Sequence, residues 1–109
     1  MKKKAERWML RLYVVDKTMS SVAAVRNLKA ICGECLTAPY DIEVIDLAVH
    51  PERAMMDNIV GVPTLVKTAP KPGRRMVGDL SNRGRTLAWL GLTQPVSAKG
   101  RQVRREGAA

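Results

Sequence analysis

Phenylalanine is absent from these 109 residues and aromatics total 4%, so the interior has to be built from Val, Leu, Ile, Ala and Met. Such a core is aliphatic and adaptable. Long apolar runs are missing as well. VIDLAV and LAWLGL fall far short of the ~20 residues that cross a bilayer, and the KKK start leads into AERWMLRLYVV rather than a small-residue cleavage site. A soluble, cytoplasmic chain with no membrane partner is expected. With one histidine and two cysteines, a mononuclear zinc site lacks its four ligands. No glycine-rich phosphate loop is present and no serine has a His/Asp setting, so neither metal nor cofactor is expected and no catalytic residue is assigned. The length suits one domain with a single modest core.

Acidic residues are also scarce, ten against nineteen Lys and Arg, for a net charge of +9. Residues 11–95 carry only +3 of it, and the flanks carry +6. Lys2, Lys3, Lys4, Lys99, Arg101, Arg104 and Arg105 therefore read as solvated tails, residues 1–7 and 93–109, around a domain at 8–92. Weak, salt-dependent attraction to polyanions follows. No helix-turn-helix, zinc-finger spacing or RNA-binding aromatic pattern accompanies the charge, so no specific nucleic-acid partner is expected.

WMLRLYVV, residues 8–15, reads as a central strand buried on both faces. In SSVAAVRNLKAICGECL the residues Val25, Leu28, Cys32 and Cys35 make a helical stripe beside Val22, Ala24 and Ile31, with Ser20 or Ser21 as cap. YDIEVIDLAV is a second strand, with Ile42 and Val44 alternating against Glu43 and Ile45. HPERAMMDNI, opened by Pro51, is a short helix. GVPTLVKTAP and RRMVGDL form a hairpin around KPG. SNRGRTLAWLGL is a last helix capped by Ser81, with Leu87 and Leu90 on one side and with Gly84 and Gly91 each weakening it by about 1 kcal/mol. The order βαβαββα predicts an α/β domain. Its mixed four-stranded sheet has helices on both faces and resembles thioredoxin, with Pro63 where such folds place a cis-proline.

CGEC at residues 32–35 raises the alternative of a thiol-disulfide oxidoreductase using Cys32 and Cys35. A reactive dithiol needs its first sulfur at the amino end of the first helix, where free N–H groups stabilise a thiolate. The turn there reads Asp16-Lys17-Thr18-Met19-Ser20, with no sulfur nucleophile. Cys32 falls ~18 Å further along the helix at ~1.5 Å per residue, and Glu34 also disfavours an anion. Buried, inert thiols are the favoured reading. His50, in V-H-P-E, is read as a helix-start residue.

EVIDL followed by Pro51, VPTLVK at residues 62–67, and above all PKPGRRMVGDLS at residues 70–81 are similar to KaiB, the small clock protein, and the similarity runs along roughly residues 10–92. The resemblance implies a non-enzymatic protein that docks on a KaiC-type hexameric ATPase. It also implies an alternative ground-state packing of the second half, self-associating as dimer or tetramer. Lys67, Arg74 and Arg75 are the implied partner contacts; Pro63, Pro70, Pro72, Gly78 and Asp79 mark the implied switching region. Clock members tend to read DREKVLIGLDLL where this chain has NRGRTLAWLGLT, so Trp89 and Gly91 alter the switching helix. Asp41 and Glu43 reverse the charge on the edge associated with KaiA, which implies action without KaiA.

Overall fold

The computed structural model of the protein describes residues 6–92. Of the expected tails at residues 1–7 and 93–109, residues 1–5 and 93–109 lie outside the described residues. Between them run β1 (Trp8–Val14), α1 (Met19–Cys35), β2 (Tyr40–Asp46), α2 (Glu52–Met56), β3 (Thr64–Ala69), β4 (Arg74–Val77) and α3 (Arg83–Leu90). The four strands form one sheet in the order β2-β1-β3-β4. β1 pairs parallel to β2 and antiparallel to β3, and β3 pairs antiparallel to β4. No helix among the described residues is long and apolar enough to cross a membrane.

Strand periodicity decides the two faces. Leu10, Leu12 and Val14 of β1, with Leu65 of β3, face α1 and α3 and make the core with Ala24, Leu28, Ile31, Cys32, Leu80, Leu87 and Leu90. The reverse face carries Tyr13 and Ile45, in register with each other and both buried. There Tyr13 donates its hydroxyl to Asp57, just past the end of α2. α2 buries no residue of its own. Its seat is polar: Arg53 pairs with Glu43 of β2 at 3.7 Å and with Asp57 at 3.5 Å. Burial holds the Tyr13 phenol above its usual pKa, and the Asp57 bond adds to this. The same hydroxyl, helped by Arg53, holds the Asp57 carboxyl below the usual range.

Several sequence expectations are corrected in detail. α1 is capped by Thr18 rather than Ser20 or Ser21: its hydroxyl accepts from Ser21 N and donates to Val15 O. Ser21 is instead buried, accepting from Val15 N, so the stripe is rotated and Val22 is exposed. β1 is covered on both faces only over Leu12, Tyr13 and Val14, since Met9 is exposed and Arg11 half-buried. Val44 is exposed because β2 is an edge strand. Asn82, not Ser81, caps α3 by accepting from Arg85 N. Gly91 lies outside that helix and ends it at φ 78°, a left-handed conformation that glycine adopts without strain.

Thr18 joins Val15, just after β1, to the start of α1 by both a donated and an accepted bond. Thr18→Ala is expected to cost about 1 kcal/mol, seen as a fall of roughly 4–8 °C in the melting temperature. Ser20→Ala should leave the melting temperature within about 2 °C by the same scale.

Candidate functional site

Where thioredoxin-type folds keep a nucleophile, this chain has a turn and a cap. The first free amides of α1 are occupied by Thr18, whose side chain takes Ser21 N and whose carbonyl takes Val22 N. Cys32 lies thirteen residues beyond Met19, ~20 Å along the axis at ~1.5 Å per residue. Cys35 is the last residue of the helix, and both sulfurs are free thiols. Cys32 is 1% exposed within the core cluster. Burial, with a smaller electrostatic contribution from neighbouring Cys35, pushes its thiol up to about 11. Cys35 is half-buried, and Arg83 Nη2 approaches its sulfur at 3.5 Å while also binding Glu34. Arg83 thus ties the last turn of α1 to the first turn of α3. Buried Cys32 lacks the setting of an attacking thiolate, and neither sulfur stands at the amino end of α1, where thioredoxin-type folds place their nucleophile. Among the described residues no three His, Cys, Asp or Glu side chains group to hold a metal ion.

The hairpin gathers cations. Lys67, Arg74 and Arg75 sit on paired positions, Lys67 opposite Arg74 and Val66 opposite Arg75. Alternation sends them to different faces. Arg75 is on the reverse face, where its guanidinium donates to Asn58 O at 2.9 Å and to Asp57 O. It ties β4 to the end of α2. Arg74 is exposed on the helix-facing side. Lys67, in register with Leu10, shares that side but is only 5% exposed, its ammonium 4.8 Å from the centroid of the Trp8 ring. Of the three expected contacts, Arg74 is freely presented, Arg75 is partly engaged within the chain, and Lys67 is covered. Trp8 was not legible as part of this cluster, because its neighbour depends on strand register.

The expected switching residues fall around the same hairpin. Pro63 precedes β3, and its carbonyl accepts from Gly78 N at 2.9 Å, so the two ends of the hairpin close on each other. The peptide bonds before Pro63, Pro70 and Pro72 are cis. Gly78 has φ 131°, a conformation that L side chains rarely adopt. Asp79 follows, accepting from Ser81 N at 3.0 Å through its carboxylate and from the Asn27 amide at 2.9 Å through its carbonyl. Hydrogen bonding from Ser81 holds that carboxyl below its usual pKa. At the opposite edge of the sheet, Arg7 forks onto Asp41 at 2.6 and 2.9 Å, and Glu43 faces Arg11 at 3.5 Å.

The KaiB domain family matches the chain over residues 11–92. The circadian clock protein KaiB3 of Synechocystis sp. is 40% identical over 98 residues, covering 90% of this chain and 92% of that protein. The circadian clock oscillator protein KaiB of Microcystis aeruginosa is 41% identical over 85 residues, 78% of this chain and 82% of that protein. Among solved structures, the N-terminal domain of SasA from Synechococcus elongatus superposes with a TM-score of 0.66 at 26% identity, covering 88% of this chain and 94% of that one. Mitochondrial thioredoxin 3 of Saccharomyces cerevisiae superposes with a TM-score of 0.61 at 10% identity, covering 78% of each chain. That likeness shows the thioredoxin-like fold alone.

The thiol of Cys32 fixes a pH dependence. The folded state keeps its proton to about 11 while an unfolded thiol loses it near 9.0. Above pH 9 the unfolded state therefore binds fewer protons, and stability falls as pH rises from 9 towards 11. Chemical denaturation between pH 8 and 11 should show this loss, reduced in Cys32→Ala relative to its own pH 8 value. Iodoacetamide at pH 8 should leave Cys32 unmodified in the folded protein.

Proposed function

The chain belongs to the KaiB family, and on that premise we propose that it is a regulatory protein of circadian or clock-related timing that docks on a KaiC-type hexameric ATPase. The observation that carries this reading is the hairpin. Lys67, Lys71, Arg74 and Arg75 lie within nine residues of chain that contain no acid. Among the described residues none of the four pairs with a carboxylate, which is also true of Lys17, Arg26, Lys29 and Arg85, but the hairpin is where four such cations fall so close together in the chain. A surface whose cations are left uncompensated suits an acidic protein face, and such complementarity sets encounter rate and register. The cysteines' placement agrees, since it leaves the thioredoxin-like scaffold without its redox centre.

The other edge supports action without KaiA. β2 presents Asp41 and Glu43, both exposed and both matched by the chain's own arginines. A second packing of the later elements, with self-association to a dimer or tetramer, belongs to the same proposal. α3 has eight residues, carries Arg83 and Arg85 in its first turn, and has no acid there. Cations at that end oppose the helix dipole, so local commitment to the helix is weak.

Light scattering on the purified chain, with and without a KaiC-type hexamer and ATP, tests both parts. We expect nucleotide-dependent co-elution, and we expect Arg74→Glu to weaken it by about tenfold or more, ~1.4 kcal/mol. No association with the hexamer under any nucleotide condition would overturn the reading.

A further inference from the structure

Cys32 and Cys35 stand three residues apart in the last turns of α1. Helix geometry sets their Cα atoms ~5 Å apart, within the span that a disulfide bridges. Both are free thiols, Cys32 buried and Cys35 half-buried. Nothing lies within 4 Å of where a Cβ on Gly33 would stand, so packing does not brace the turn between them. Arg83 reaches this pair from α3. Its Nη2 lies 3.5 Å from the Cys35 sulfur, while its Nε is, among the described residues, the one buried side-chain nitrogen or oxygen without a hydrogen-bond partner. In a guanidinium these two nitrogens aim N–H bonds side by side. Arg7 shows the pair filled, by the two oxygens of Asp41 at 2.6 and 2.9 Å. In Arg83 one half of the same fork meets sulfur and the other half meets nothing. A buried donor left empty is unfavourable, and an oxygen bonded to the Cys35 sulfur would fill it.

We propose that Cys32 and Cys35 form a peroxide-responsive dithiol in which Cys35 is oxidised first, Arg83 holds the new oxygen, and Cys32 closes a disulfide. The Cys35 thiolate attacks hydrogen peroxide: an S–O bond forms, the O–O bond breaks and hydroxide leaves, so sulfur loses the two electrons that the peroxide gains. The Cys32 sulfur then displaces the oxygen, which departs as water with the Cys32 proton. Two thiols and one peroxide become one disulfide and two waters. This is a stoichiometric modification at the tail of α1, separate from catalytic exchange at its head. Closing the bridge draws the Cys35 sulfur away from Arg83 and loosens the link between α1 and α3. It goes beyond the docking reading and requires no ATPase.

Its test therefore uses the reduced full chain alone. Hydrogen peroxide is added, with and without dimedone to trap sulfenic acid, and each cysteine is read by peptide mass spectrometry. An intrachain Cys32–Cys35 disulfide that dithiothreitol reverses is expected, and in Cys32→Ala a dimedone adduct on Cys35 instead. Arg83→Met should slow oxidation of Cys35 about tenfold, the worth of one hydrogen bond to a charged group. Glu34→Gln weakens the same link between the helices but keeps the guanidinium, so its rate should stay within about twofold of the parent on that scale. Burial holds the Cys32 thiol up to about 11, so closure should accelerate as pH rises towards that value. Two free thiols after a treatment that oxidises the exposed Met19 and Met55 would overturn the proposal. So would equal rates in Arg83→Met and the parent, or Cys35 proceeding to sulfinic acid while Cys32 stays a free thiol.

Discussion

β1 is bonded along both edges, to β2 and to β3, and its last three residues are covered on both faces. Leu10, Leu12 and Val14 commit one side of it to α1 and α3, while Tyr13 commits the other to the polar seat of α2. Much of the rest follows from that double constraint. The end of β1 fixes where α1 begins, through Thr18 and Ser21. Its register with β3 fixes which hairpin side chains face inward, since Lys67 lies opposite Leu10. A slip of one residue would turn Lys67 to the reverse face and Val66 to the core side.

Much of this architecture was legible in the sequence because its elements are punctuated clearly. The apolar run WMLRLYVV, alternation in YDIEVID, proline at 51 and 63, and the KPG turn were enough for the element order and the mixed sheet. The helix caps were not, because Thr18, Ser20 and Ser21 are all chemically able to cap. The choice depends on Ser21 being drawn inward to the Val15 amide. The exposure of Val22 and Val44 was hidden for a related reason: a helix stripe and an edge strand show their orientation only once their neighbours are placed. Gly91 was misread as a weakness inside α3 when its φ of 78° makes it the stop.

The site was legible in part. The position of CGEC relative to the start of the helix sufficed to argue against redox chemistry, and the burial of Cys32 gives that argument its physical cause. The basic hairpin was visible as PKPGRR, but the three cations looked equivalent. Strand alternation sends Arg75 to the reverse face, where it binds backbone carbonyls, and on the other face Arg74 is exposed while Lys67 is covered against Trp8. The scaffold that elsewhere holds a dithiol at the head of its first helix here closes that position with a threonine cap. A close group of cations without carboxylate partners, Lys67, Lys71, Arg74 and Arg75, lies instead on the β3–β4 hairpin.

The proposed shift from sulfur chemistry to charge recognition is tested most directly by hydrogen–deuterium exchange on the full chain, with and without a KaiC-type hexamer and ATP. Added protection is expected across residues 64–77. Protection confined to the turn at residues 16–20, with the hairpin exchanging as in the free chain, would contradict it.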